Sequence, residues 1–232
     1  MKNVKGSVGA VILAAGEGSR MNTEVTKQKI NICGLSVLKR CILPFIASNY
    51  IGTIVVVCRD DELDFAKSEL GEFTKKAIFY TVGGNTRKES AKVGFELIED
   101  KCDFVAIHDA ARCLVSEKNI NDVCAAAIQY GAATASSPVT DTVKRVEQGF
   151  IVETVDRSTL VSVQTPQIFD CKLYRRALEK SAAFQATDDN MLVESIGVKI
   201  RLVDTGKGNV KLTTPEDVAY AEFIIGGGRF DG

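Results

Sequence analysis

Leu13-Ala14-Ala15-Gly16-Glu17-Gly18-Ser19-Arg20-Met21 sets two glycines and then a guanidinium directly after an apolar run. Glycines let a backbone come close to a ligand and aim successive N–H groups at phosphate oxygens. Arg20 adds a fork of donors, and Lys27 brings a second cation seven residues later. A Rossmann dinucleotide fingerprint needs Gly or Ala three places after Gly18, where Met21 stands. A Walker A loop would end in Gly-Lys-Ser/Thr, which is absent. The competing reading is a tight strand-to-helix turn with two solvated cations.

Asp109 comes one residue after an apolar stretch, residues 104–107, so it falls at the carboxyl edge of a buried strand, where clefts form. A single carboxylate there suits Mg²⁺, which takes few protein ligands and keeps phosphate oxygens and water for the rest. The plainer role for Asp109 is to cap the following turn. His108, the chain's one histidine, reads as packed or loop-orienting. Gly83-Gly84 precedes a helix that carries Arg87 and Ser90 in its first turns, where free N–H groups favour anionic or polar ligand atoms. Lys211 stands shortly before another helix cap.

The elements that hold these residues follow from periodicity. Residues 8–14, 53–58 and 104–107 read as strands covered on both faces, with 77–82 and 132–136 as weaker strands. Helical stretches at 36–47, 60–70, 86–98 and 116–130 alternate with them, the last running from an N-cap at Ser116 to Gly131. This alternation predicts an α/β fold, three-layer and Rossmann-like, with a mostly parallel twisted sheet. After Pro138, residues 139–146 and 151–155 flank Gln148-Gly149 and predict a β-hairpin. It is read as an arm over about 138–160, projecting from one domain that spans 1–232. Helices at 170–180 and 188–196, a strand at 198–203 and a final helix opened by Thr214-Pro215 complete the expectation.

Composition narrows the partners. Lys and Arg number 29 and Asp and Glu 30, a net charge of −1, so there is no broad basic footprint for nucleic acid. The seven cysteines form no C-x-x-C pair and read as small hydrophobes in a reducing compartment. No apolar run reaches the ~20 residues a membrane helix needs, and the N-terminal run leads into the glycine turn and not a cleavage site. These features point to the cytoplasm.

LAAGEGSRM followed by TKQ is similar to the nucleotidyltransferases that join nucleoside triphosphates to phosphorylated sugars or polyols. Six further segments resemble one of their families, 2-C-methyl-D-erythritol 4-phosphate cytidylyltransferase of isoprenoid precursor synthesis. They are Val82-Gly83-Gly84-Asn85-Thr86-Arg87-Lys88-Glu89-Ser90, His108-Asp109-Ala110-Ala111-Arg112, Pro138-Val139-Thr140-Asp141-Thr142-Val143-Lys144, Thr154-Val155-Asp156-Arg157, Gln164-Thr165-Pro166-Gln167 and Asn209-Val210-Lys211-Leu212-Thr213-Thr214-Pro215-Glu216-Asp217. The resemblance implies transfer of CMP from CTP to the polyol phosphate with release of pyrophosphate. It implies that Arg20 and Lys27 stabilise the pentacoordinate phosphorus, and that Arg157 and Lys211 complete the catalytic set. Ala14, Ala15, Gly16, Gly18, Gly83, Gly84, Ser90 and Ala110 are then expected around CTP. Asp109, Arg112, Thr140, Arg157, Thr165, Thr187 and Lys211 are expected around the acceptor, with Mg²⁺ on Asp109. The arm is expected to exchange across a homodimer, so that Arg157 serves the partner's site.

Thr26 and Cys113 stand where the family commonly has proline, which loosens two loops. Ribitol 5-phosphate cytidylyltransferase resembles the chain in the glycine loop and in Gln164–Gln167, whereas Thr140 and residues 154–157 favour the methylerythritol family. A non-catalytic nucleotide-binding protein would lack Arg20, Lys27 or Asp109, and all three are present.

Overall fold

The protein is described here from a computed structural model, which covers residues 7–16, 26–73, 75–181 and 186–227. The β-branched runs form the middle of the sheet. β1 (Val8–Leu13) is followed by a short hairpin of β2 (Asn31–Ile32) and β3 (Leu35–Ser36). β1 pairs in parallel with β4 (Ile51–Cys58) on one side. β5 (Ala77–Val82) extends the sheet beyond β4, and β6 (Phe104–Asp109) flanks β1 on the other side. After β6 in the chain come β7 (Ala132–Pro138), then the separate hairpin of β8 (Val143–Glu147) and β9 (Phe150–Val155), then β10 (Val161–Asp170) and β11 (Arg201–Asp204). The seven-stranded order is β11-β7-β10-β6-β1-β4-β5.

Helices cover both faces, which gives the three expected layers. On one face lie α1 (Val37–Ala47), α2 (Leu63–Leu70), α4 (Glu117–Tyr130) and α7 (Pro215–Ile225), packed through Ile42, Phe45, Leu70 and Val123 onto Ile12, Ile54 and Val56. On the other lie α3 (Arg87–Glu96), α5 (Cys171–Lys180) and α6 (Asp189–Glu194), joined through Phe95, Tyr174 and Val193 to Val11, Val55 and Ile107. Tyr174 stacks on Phe169 at 5.4 Å and meets Phe95 edge-on at 5.0 Å. Such ring pairs add about 0.5–1.5 kcal/mol beyond burial. A β-carbon on Gly94 would lie 2.4 Å from Val11 Cγ1, so only glycine lets α3 lie this close to the sheet.

Sequence signals set the helix ends. Ser36 Oγ accepts from Lys39 N at 3.1 Å, Ser116 Oγ from Asn119 N at 3.1 Å, and Gly131 closes α4 with φ +84°. Gln148 and Gly149 both have positive φ, 49° and 86°, as a type I′ hairpin turn requires. All seven cysteines are free thiols. No described helix is long and apolar enough to cross a membrane.

Three expectations change. Residues 161–170 carry no predicted strand, yet β10 runs antiparallel between β6 and β7, the one reversed strand among those described in the sheet. Residues 60–62 form a 3₁₀ turn before α2 begins at Leu63. The arm's first strand starts at Val143, not at residue 139.

Candidate active site

The carboxyl ends of β1, β4, β5 and β6 open onto one cavity of about 930 Å³. This is where ligand crevices form in such sheets. Its wall is built from the turns after those strands: Ala15 and Gly16, then Arg59 to Asp61, then residues 82–87, then Asp109 and Ala111. Lys27, Gln28, Ser90 and Lys211 complete it.

Asp109 is the charged hub. Its Oδ2 accepts from Lys211 Nζ at 2.7 Å and its Oδ1 from Arg87 Nε at 3.1 Å. Burial works against the ionised form, but the Arg87 and Lys211 cations outweigh it and hold the carboxyl well below the usual carboxylate range. Arg87 reaches the hub because Thr86 and Glu89 form a capping box, which starts α3 at this residue. Its Nη1 donates to Asp189 Oδ2 at 2.5 Å. Burial opposes the guanidinium charge, and the two carboxylates more than offset it, raising its pKa above the ordinary value.

Behind Asp109, Thr165 Oγ1 accepts from Asp109 N at 3.1 Å and lies 3.0 Å from His108 Nδ1. His108 Nε2 is 3.3 Å from Arg112 O. The neutral imidazole protonated at Nε2 satisfies the whole set: the Thr165 hydroxyl donates to Nδ1, and Nε2–H donates to the Arg112 carbonyl. Complete burial pushes the His108 pKa down to about 4, against the smaller pull of Asp109. His108 is therefore a packed, loop-orienting residue, as its sequence context suggested.

Lys27 opens a 3₁₀ turn, Lys27–Lys29, tied to the glycine loop by Gln28 Nε2, which donates to Ala14 O at 2.7 Å. Thr26 has φ −62° and ψ 146°, a conformation proline would also adopt, so the turn keeps proline-like geometry without proline. Cys113 is buried in the core at the other departure. A β-carbon on Gly83 would lie 2.7 Å from Ser90 Oγ and 2.8 Å from Ala15 Cβ, so glycine is what lets the loops after β1 and β5 meet.

Of the residues singled out from sequence, Ala15, Gly16, Lys27, Gly83, Gly84, Ser90, Asp109 and Lys211 meet in this cavity. Gly18 and Arg20 lie outside the described residues. Ala14 and Ala110 sit beneath it: Ala14 N donates to Val57 O at 2.7 Å and Ala110 N to Leu13 O at 3.0 Å. Arg112 is turned to the Asn209 carbonyl, 2.8 Å from Nη1. Thr165 supports Asp109 from behind. Thr140 and Arg157 lie at the base of the arm, where Arg157 Nη1 donates to Thr140 O and Lys207 Nζ to Thr140 Oγ1 at 2.9 Å. Thr187 Oγ1 donates to Met191 Sδ at 3.0 Å, away from the cavity lining.

Sequence reading placed Arg87 in a helix's first turn without a role, and missed Gln28, Arg59, Asp60 and Asp61 in the wall. The last three follow β4 directly, so their position after a buried strand was an available signal. Among the described residues no group of three or more His, Cys, Asp or Glu is arranged so that it could hold a metal ion. A divalent ion here would rest on Asp109 and on ligand oxygens. The ionised carboxylate fits that task, since each of its oxygens keeps a lone pair beyond the one given to Arg87 or Lys211.

Residues 8–227 match the family model for 2-C-methyl-D-erythritol 4-phosphate cytidylyltransferase. The protein of that name from Caldanaerobacter subterraneus subsp. tengcongensis is 38% identical over 226 residues, covering 94% of this chain and 99% of its own. The one from Clostridium perfringens strain SM101 is 39% identical over 224 residues, covering 95% and 99%. Among solved structures, 4-diphosphocytidyl-2C-methyl-D-erythritol synthase from Anaerococcus prevotii aligns with a TM-score of 0.86 at 30% identity, over 97% of each chain. The 2-C-methyl-D-erythritol 4-phosphate cytidylyltransferase of Thermus thermophilus aligns at 0.77 and 27%, over 95% and 98%. On this match across nearly its whole described length, the chain belongs to the 2-C-methyl-D-erythritol 4-phosphate cytidylyltransferase family.

Proposed function

We infer that the cavity transfers the cytidylyl group of CTP to 2-C-methyl-D-erythritol 4-phosphate and releases pyrophosphate. An acceptor phosphate oxygen forms a bond to the α-phosphorus as the bond to the pyrophosphate oxygen breaks on the opposite side. The nucleophile is already ionised, so general-base help is not the main need. Charge neutralisation is, because two polyanions must approach each other. The observation that carries this reading is the convergence of Lys27, Arg87 and Lys211 with the glycine-loop backbone on one cavity, in which Arg87 and Lys211 both bind the Asp109 carboxylate.

Lys27 is assigned to the triphosphate and to the charge that builds on the α-phosphoryl oxygens, and by family likeness Arg20 is given the same task. Lys211 is assigned to both substrates. The Gly83-Gly84 turn and Ser90 are assigned to the cytosine end, where backbone groups can tell an amino group from a carbonyl. Mg²⁺ held by Asp109 would neutralise phosphate charge when bound. The arm is assigned to a homodimer, with Arg157 offered to the partner's acceptor phosphate; its exposed Val146, Phe150, Ile151 and Val152 support that role. Seven free thiols fit a cytoplasmic setting.

The test is pyrophosphate release by the purified protein with Mg²⁺ and CTP, using methylerythritol phosphate and ribitol 5-phosphate in parallel. Turnover with the first acceptor alone is expected; turnover with ribitol phosphate alone would reassign the acceptor.

A further inference from the structure

Asp189 is wholly buried, and the chemistry above gives its carboxylate no task. Each of its carboxylate oxygens is engaged: Oδ2 accepts from Arg87 Nη1 and Oδ1 from Tyr174 Oη, both at 2.5 Å. Its N–H donates to Gln167 Oε1 at 3.0 Å. Beyond Arg87 the chain of contacts runs on through Asp109 to Lys211, so two acids and two bases alternate from the core to the cavity.

The two cations on Asp109 differ in exposure. Side-chain exposure is 1% for Asp189, 28% for Arg87, 12% for Asp109 and 41% for Lys211 at the cavity end. Of the two cations on Asp109, Lys211 is thus the one able to leave for a phosphate. Arg87 cannot swing away without stranding the buried Asp189 carboxylate, and an unpaired buried charge is strongly disfavoured. The bridge also needs a guanidinium. Nε serves one carboxylate and Nη1 the other, which the single nitrogen of lysine cannot reproduce.

We propose that Asp189 is a positioning residue for cytidylyl transfer: by anchoring Arg87 it holds Asp109 at the cavity while Lys211 passes between Asp109 and the substrates' phosphates. This role rests on the function inferred above. α6, which carries Asp189, begins two residues after Thr187, so the same anchor ties the Thr187 loop to the Asp109 end of the cavity.

The test is a double-mutant cycle with Asp189→Asn, Arg87→Lys and the pair, read by steady-state pyrophosphate release, by calorimetric CTP binding and by thermal melting. Partners that orient a site residue typically cost about 10–100-fold when removed, so each single variant is expected to lose that much in kcat. CTP affinity and both KM values should stay within about threefold, since an orienting role acts on the transition state. The double variant should fall no further than the weaker single, because the two residues act as one unit. Multiplying losses, a change confined to KM, or an unchanged kcat in either single variant would overturn the proposal. Should Asp189→Asn be too unstable to assay, Arg87→Lys and Arg87→Met decide: both are expected to be similarly impaired, and near-normal turnover of the lysine variant rejects the anchor. Wild-type protein run alongside separates the two levels. No release by the wild type overturns the function and this role together, whereas normal release with multiplying losses removes only the role of Asp189.

Discussion

Lys211 Nζ lies 2.7 Å from Asp109 Oδ2, although 102 positions separate the two in sequence. A cation suited to a phosphate is thereby held on a carboxylate that is itself fixed from behind. Replacing Asp109 by Asn leaves Lys211 and Arg87 without their shared anion while nearly preserving shape. The expected result is a kcat lowered about 10²-fold, on the scale of losing one preorganised electrostatic group, with CTP binding weakened far less. Steady-state kinetics beside calorimetry would show it; equal losses in both would place Asp109 in binding alone.

Lys27 is held at the glycine loop by the Gln28 tether, so its charge is preorganised. Lys27→Ala should lower pyrophosphate release by ~10²–10³-fold, the usual result of losing one well-placed donor. Gln28→Ala, which cuts the tether and keeps the charge, should lose less. Unchanged turnover in Lys27→Ala would remove that residue from the mechanism.

His108 gives a pH signature of stability. Its folded pKa, about 4 because of burial, lies below the ordinary histidine value of 6.5. Between these values the unfolded chain binds the extra proton, so stability is fully present above about pH 6.5 and declines as pH falls toward about 4. It is the chain's one histidine, so no other imidazole contributes in that window, and carboxylates such as Glu99, raised by burial, add only toward its acid end. Urea unfolding at pH 7 and pH 5 should differ by about 2 kcal/mol through this residue. In His108→Gln the difference should largely vanish, and an equal slope in that variant would assign the pH dependence elsewhere.

The arm carries its apolar side chains outward, with Phe150 76% and Ile151 67% exposed. In solution the chain is expected to be a dimer by light scattering, and Ile151→Asp should shift it to monomer. Mixing Arg157→Ala with Lys27→Ala chains should partly restore activity if the arginine serves the neighbouring site. No rescue despite confirmed subunit exchange would keep Arg157 within its own chain.

Most of the fold was legible because its signals are local. The buried strands are β-branched runs, Ser36, Thr86 and Ser116 are caps, and the Gln148-Gly149 turn has the required backbone geometry. β10 was not legible. Pro166 interrupts its run, and proline argues against a central strand. In the structure the ladder with β7 breaks between Val163 and Gln167, so Pro166 sits where no pairing is required. The cavity followed from the residues that end strands, Asp109 above all. The Arg87–Asp189 pair did not, because its two halves stand 102 positions apart and only tertiary packing brings them together. Ala14 and Ala110 had the right place in sequence, but internal backbone bonds occupy their N–H groups.

Because β10 runs against its neighbours, the chain leaves the sheet at Pro138 and re-enters near Val161 on the same rim. A parallel strand in that slot would have forced a crossover to the opposite pole. Both feet of the hairpin therefore stand side by side, and the span between them is free of any duty to the sheet. The hairpin strands can therefore change in length or surface without shifting the register of a single core strand, whereas Thr140 and Arg157 at their feet are bound to each other and stay fixed to the rim.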